Sequence, residues 1–405
     1  VTTLRVLLSQ RAFALYLSSR VPALLAAQIQ TVAVGAQVYS LTHNPLDLGL
    51  VGLSQFLPFL LCVLPAGQLA DRYDRRRIIA LCLLLEFLCS IALVGFSIHG
   101  LTRVWPIFAI MVPFGIARAV MSPAAQAIMP NLVTRQQFAS AVAINSSLWQ
   151  FTTIVGPAIG GYLYAGFGPP VAYAITAAMM FAGLVAALAM SAPPQQRNST
   201  ESTLRSVAEG LRFVWHRRPV LGAISLDLFA VLFGGAVALL PAYAVDVLHV
   251  GPQGLGWLRA APGVGAAVMG ALLTVRPIRQ RAGFAMFAGV AVFGVATIVF
   301  GLSNNFVLSL AALSVLGAAD MVSVFVRHLL VQLETPDAMR GRVGAVSSMF
   351  IGASNELGEF ESGLTAAWWG LAPAVVVGGA MTLLVVVIWV ALFPALRRLD
   401  RFAEH

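Results

Sequence analysis

Four charged residues stand inside long apolar runs: Arg20, Arg118, Asp227 and Asp320. A charge facing lipid near the bilayer centre costs roughly 2.5–3.5 kcal/mol on insertion scales, so such residues face a partner or a water-filled cavity. The two cations fall in the first half of the chain and the two anions in the second. Pairing across the halves, broken by a ligand or a proton, is one chemistry open to them. Static pairs that fix helix register are the other. Arg20 and Asp227 lie at similar distances into their runs, which makes them the natural cross-pair. A second group is acidic. Glu356 and Glu359, three residues apart, share one helical face and offer the clustered carboxyls that a proton carrier needs. Asp227 and Asp320 compete for that role, and so does Glu86. Glu361 falls about 200° around the helix from Glu359 and belongs to another face.

These residues need a scaffold that buries them, and composition says of what kind. Of 405 residues, 59% are hydrophobic and only 10% charged, with a mean hydropathy of +0.87. A soluble chain carries about 25% charged residues, so lipid must supply part of the surroundings here. The formal charge of +9 belongs entirely to arginines, since no lysine occurs. They punctuate apolar runs rather than forming one basic face, which argues against nucleic acid as a partner.

The spacing predicts an all-α membrane protein with twelve spans, roughly 12–41, 46–70, 78–98, 104–128, 138–165, 170–191, 219–248, 254–275, 284–302, 306–333, 342–369 and 372–396. Two six-helix bundles, 1–191 and 219–405, flank a linker over 192–218. The first run extends far past the about 7–15 apolar residues of a cleaved signal peptide, so none is expected. Arginines crowd alternate connections: Arg72, Arg75, Arg76 and Arg77, then Arg135, the linker, Arg276 to Arg281, Arg340 and Arg342, and Arg397 onward. The opposite loops hold only Arg103. By the positive-inside rule both termini and the linker are cytoplasmic.

In the linker, Leu204, Val207, Leu211, Val214 and Trp215 recur at three- and four-residue steps, marking an amphipathic helix ringed by Arg205, Arg212, Arg217 and Arg218. It either lies along the anionic inner leaflet, making lipid a partner, or packs under the bundles. The two halves also repeat. Gly115-Ile-Ala-Arg118 aligns with Gly317-Ala-Ala-Asp320, and Gly156 and Gly161 with Gly358 and Gly363. Gly52, Gln55 and Pro58 align with Gly256, Arg259 and Pro262 at nearly the same offset. That pattern points to two pseudo-symmetric bundles built by duplication.

Two motifs carry a family resemblance. Gly67-Gln-Leu-Ala-Asp71-Arg72-Tyr-Asp74-Arg75-Arg76-Arg77 resembles the gating-loop signature of the major facilitator superfamily, departing from it at Asp74, where glycine is usual. Gly156-Pro157-Ala-Ile-Gly160-Gly161 resembles the motif of that superfamily's antiporter branch. Physically, Pro157 removes a backbone hydrogen bond and the glycines admit a close neighbour, so packing alone is the rival reading. With the Ser206–Phe213 linker segment and the glycine-rich stretch from Ala260 to Leu272, the chain is similar to bacterial exporters of the enterobactin-exporter and drug:proton antiporter type. The acidic span-11 segment from Gly352 to Gly363 is distinctive and is not part of that likeness.

The resemblance implies that spans 1, 4, 7 and 10, with Arg20, Arg118, Asp227 and Asp320, line a central substrate cavity. It also implies that Asp71 meets the start of span 11, and that the protein is a proton-coupled exporter in a bacterial inner membrane. Its partners would be a small-molecule substrate, protons and lipid. An importer or a lysophospholipid flippase on the same fold, and a polytopic membrane enzyme using the acidic cluster, are the alternatives. Cys62, Cys82 and Cys89 lie inside spans, and no P-loop, zincin motif or nucleophile elbow occurs. No metal, cofactor, enzymatic turnover or ATP hydrolysis is therefore expected.

Overall fold

A computed structural model describes residue 7 and residues 9–190, 203–278, 280–336 and 339–397. Twelve helices of ten or more residues account for most of it, and no strand occurs among the described residues. They are α1 Arg11–Thr42, α2 Pro45–Arg72, α3 Arg75–Ile98, α4 Trp105–Leu132, α5 Arg135–Ala189, α6 Thr203–His216, α7 Arg218–Phe233, α8 Gly251–Val275, α9 Ala282–Leu302, α10 Phe306–Glu334, α11 Arg340–Trp369 and α12 Leu371–Leu392. Ten helical stretches among the described residues are long and apolar enough to cross a membrane. α5 runs for 55 residues but reverses at Gly168, whose φ of 77° is followed by Pro169 and Pro170, so it makes two spans. With α11, the most polar of the membrane helices, the spans number twelve.

The chain forms two compact units, one of residues 1–43, 54–203 and 251–256, the other of 44–53, 204–250 and 257–405. Each unit thus takes the first turns of one helix from the opposite half of the sequence. In the first unit the start of α8 packs on α5. A Cβ on Gly161 would come 2.5 Å from the Pro252 carbonyl oxygen and 2.9 Å from the Gly256 Cα. In the second, the start of α2 packs on α11, where a Cβ on Gly363 would meet the Gly49 Cα at 2.9 Å. Gly161 and Gly363, aligned by the internal repeat, therefore sit at corresponding crossings, with Gly49 rather than the aligned Gly52 as the counterpart of Gly256, and only a glycine surface lets the backbones approach so closely. The first unit is filled by Phe13, Tyr16, Ile79, Leu83, Ile128 and their neighbours. The second is filled by Leu226, Met286, Phe287, Val326 and Leu330.

Two expected spans are interrupted. The run over 219–248 leaves the α-helix after Phe233, at Gly234 and Gly235, and continues as a 3-10 turn Ala236–Leu239 and a π turn Tyr243–Val247. Adjacent glycines weaken the helix there, and Gly235 sits against the Gly358 carbonyl of α11, where a Cβ would come within 2.5 Å. The last span ends at Leu392, and Pro394 opens a separate turn to Arg397.

The linker helix α6 packs within the second unit. Val214 is buried with Val220, Ile224, Val343 and Val346, and Val207 and Phe213 lie beside them. The Arg342 guanidinium donates to Glu209 at 2.7 Å. Leu211 and Trp215 remain exposed on its other side. Of the two placements open to this helix, packing against its bundle accounts for one face, and the face with Leu211 and Trp215 is left uncovered.

Candidate functional site

Arg20 and Arg118 are brought together in the first unit. Arg20 projects from α1 and Arg118 from α4, into a cavity of about 180 Å³ that also takes in Gln28, Phe59, Glu86 and Trp149. Arg20 Nη1 rests 3.3 Å from the thioether sulfur of Met121, its guanidinium also meets the Tyr16 hydroxyl, and its Nε has no acceptor. Arg118 Nη1 reaches Gln55 Oε1 at 3.5 Å. Glu86 on α3 is buried and lies within Coulombic reach of both arginines. The cavity thus combines two guanidiniums and one carboxylate with aromatic walls.

Asp227 finds its cation inside the second unit. Arg327 on α10 donates through Nη1 to Asp227 Oδ2 in an ion pair with both side chains buried, and the Ser323 hydroxyl donates to Oδ1 at 3.5 Å. The sequence suggested Arg20 as partner; the structure gives Asp227 to Arg327, a residue the sequence reading passed over. The signal was present, because Asp320, Ser323 and Arg327 recur at the three- and four-residue steps of one helical face. Asp320 and Asp227 line a common void of about 10 Å³ with Ser323, Val290 and Phe293, space for about one water. Asp320 receives no hydrogen bond among the described residues and interacts electrostatically with Asp227 and Arg327. Two carboxylates therefore share one guanidinium.

Glu356 and Glu359 lie together on α11, as their spacing requires, facing the start of α2. A Cβ on Gly52 would come 2.9 Å from Glu359 Oε2 and 3.8 Å from Glu356 Oε2. Arg259 on α8 lies within Coulombic reach of Glu359. Glu356 and Glu359 thus form a site separate from Asp227 and Asp320.

At the α2–α3 turn the arginines act as helix caps. Arg75 donates from Nε to the Ala70 carbonyl at 3.1 Å and from Nη1 to the Ala127 carbonyl at 2.8 Å. Arg76 donates to the Ala187 and Leu188 carbonyls in the last turn of α5, where cations meet the orphan carbonyls of a helix end. Asp74 is the N-cap of α3, accepting from the Arg76 amide at 2.9 Å, which gives a structural role to the position where the motif departs from glycine. Gly67 lies in the last turns of α2, and Arg72 is exposed at its end. The side chain of Asp71 lies outside the described residues.

The glycine-proline segment of α5 is a packing surface. A Cβ on Gly156 would meet Gln28 at 2.5 Å, and one on Gly160 would meet the Ile29 backbone at 3.1 Å. The Pro157 carbonyl faces Gly256, whose Cβ would sit 2.7 Å from it. α5 is thereby pressed between α1 and the start of α8. Among the described residues no group of three or more His, Cys, Asp or Glu is placed to hold a metal.

The model of the transmembrane secretion effector family matches residues 3–404. The enterobactin exporter EntS of Citrobacter koseri is 30% identical over 324 residues, 78% of this chain and 76% of that protein. Its counterpart in Escherichia coli O1:K1 is 29% identical over 323 residues, with the same coverage. Among solved structures, a bacterial homolog of the human lysosomal transporter Spinster superposes with a TM-score of 0.73 at 17% identity, covering 98% of this chain and 99% of that one. A POT family transporter bound to a thioalcohol-conjugated peptide gives 0.76 at 11% identity, with 95% and 96% covered. At such identities these likenesses concern the fold, and they agree with twelve helices in two pseudo-symmetric bundles. The chain belongs to the transmembrane secretion effector family of the major facilitator superfamily, and it is a secondary transporter of small molecules.

Proposed function

We propose that the protein is a proton-coupled exporter of amphipathic small molecules, of the drug or siderophore type, resident in a bacterial inner membrane with both termini cytoplasmic. The bundles 1–191 and 219–405 would alternate access to the cargo. The relatives named as enterobactin exporters support a siderophore-like cargo and the outward direction. One observation carries the coupling: Asp227 and Asp320 share the single guanidinium of Arg327. An unbalanced carboxylate inside a membrane protein is stabilised by taking up a proton, and its release during the cycle links cargo to the proton gradient. Asp227 is held by Arg327 and Ser323, which leaves Asp320 as the carboxyl free to exchange its proton. Glu356 and Glu359 are the rival pair, with Arg259 as their counter-charge.

In this reading the segment Gly67 to Arg76, with Asp71 and Arg72, works as the gating loop. Exposed Leu211 and Trp215, with Arg212, Arg217 and Arg218, rest on the anionic inner leaflet.

The test is transport in proteoliposomes under an imposed pH gradient, using a labelled siderophore and a cationic drug as cargo. Uphill, gradient-dependent export of at least one of the two cargoes is expected, and loss of it in Asp320→Asn with exchange of cargo retained. Cargo moving with the protons, in the inward direction, would make the protein an importer. Proton-independent movement of a labelled lysophospholipid would make it a flippase.

A further inference from the structure

We infer that the first-unit cavity recognises an anionic head group, a carboxylate or similar planar oxyanion carried on an aromatic cargo. Arg20 and Arg118 would bind it, and Glu86 would act as the counter-charge it displaces. This rests on the exporter reading and narrows its cargo from amphipathic molecules in general to anionic ones.

Three observations converge on it. The first is charge: two guanidiniums face one carboxylate, and the Glu86 carboxylate accepts no hydrogen bond from either arginine among the described residues, so it balances them from a distance without occupying their donors. The second is donor satisfaction. A guanidinium carries five N–H donors in a planar fork suited to paired oxygens. The acceptors recorded for Arg20 are the Met121 thioether, a weak one, and the Tyr16 hydroxyl, and its buried Nε has none. Among the described residues Arg118 makes one side-chain hydrogen bond, at 3.5 Å. The buried Arg20 Nε left without an acceptor is costly, and an oxyanion between α1 and α4 satisfies it while engaging the exposed Arg118 guanidinium. The third is shape. The cavity is far larger than the ~10–15 Å³ that holds one water, and Phe59 and Trp149 line it beside the arginines, a surface for a flat ring next to a clamp for its oxygens.

The Asp227–Asp320–Arg327 cluster of the second unit carries the opposite excess, two aspartates to one arginine, and its void of about 10 Å³ leaves no room for a cargo. Cationic cargo is disfavoured beside Arg20 and Arg118 by Coulombic repulsion.

The test uses three probes matched in ring and differing in charge: 2-naphthoate, its neutral amide, and 2-naphthylmethylammonium. Binding to the full-length protein in detergent is measured by equilibrium dialysis against protein-free micelles. Naphthoate is expected to bind, with the amide and the ammonium at least about tenfold weaker. Arg118→Gln, at an accessible side chain with little packing to lose, should weaken naphthoate about 10- to 100-fold, the range of a lost charge-assisted contact. Glu86→Gln should tighten naphthoate by about tenfold, because the competing negative charge is gone. A Glu86 that merely held the helices together would give the opposite sign. Naphthoate binding no better than the amide or the ammonium, no effect of Arg118→Gln, or weaker binding in Glu86→Gln would each overturn the inference. Dialysis needs no gradient, so anion binding with these variant effects but no proton-driven export would instead refute the exporter reading alone.

Discussion

Gly161 of α5 and Gly256 of α8 lie backbone to backbone, so that a Cβ on either would come within 2.9–3.1 Å of the other's Cα. Gly166, farther along α5, has nothing within 4 Å of its Cβ position. Gly161→Ala should therefore overpack, at about 1–3 kcal/mol, and lower the thermal midpoint of the solubilised protein by several degrees. Gly166→Ala should leave it unchanged or raise it slightly, by the helix propensity gained. Equal midpoints for the two variants in a detergent thermal-shift assay would contradict the crossing.

The Asp227–Arg327 pair should behave as a unit. Removing Arg327 strands two buried carboxylates, at roughly 3–5 kcal/mol, whereas removing Asp227 leaves Arg327 with Asp320 as its counter-charge. Arg327→Gln should lower stability more than Asp227→Asn, and adding Asp227→Asn to Arg327→Gln should recover part of the loss, with Asp320 still lacking its cation. A double-mutant cycle by denaturant titration in micelles reads this directly, and simple additivity would show that the two side chains do not depend on each other.

Coupling separates the acidic clusters. If Asp320 carries the proton, Asp320→Asn abolishes uphill export but spares cargo exchange at equal pH. The double variant Glu356→Gln/Glu359→Gln then keeps its dependence on the pH gradient. The reverse pattern in the same vesicles would move the proton site to α11.

Arg76 and Arg77 are neighbours with different expectations. Arg76 caps the last turn of α5 through the Ala187 and Leu188 carbonyls. Arg77 is exposed and only 3.9 Å pairs it with Asp74. Arg76→Gln should destabilise by about 1–3 kcal/mol, the scale of a charge-assisted hydrogen bond, whereas Arg77→Gln should be near neutral, as exposed ion pairs are. Proteolysis at the α2–α3 turn in detergent provides the readout: faster cleavage for the first variant alone.

The sequence by itself determined the spans, because a bilayer demands long apolar helices and their hydropathy is a local property. It pointed to the internal repeat as well: the aligned Gly161 and Gly363 both sit at close crossings, on Gly256 and on Gly49, although Gly52, which the sequence aligned with Gly256, lies instead against Glu359. It placed Glu356 and Glu359 on one helical face, because i and i+3 neighbours follow from helix geometry alone. Tertiary structure decided which charge meets which. Arg327 is a hundred residues from Asp227, and nothing local distinguishes it from Arg20 as a partner; only the packing of α10 on α7 does. Packing likewise gave the linker helix its seat on Val343 and Val346, where hydrophobic periodicity fixes a buried face without naming what buries it. Glu86 appeared in sequence as a lone carboxyl in an apolar run, and it took the folding of α1, α3 and α4 around one cavity to set it beside two arginines.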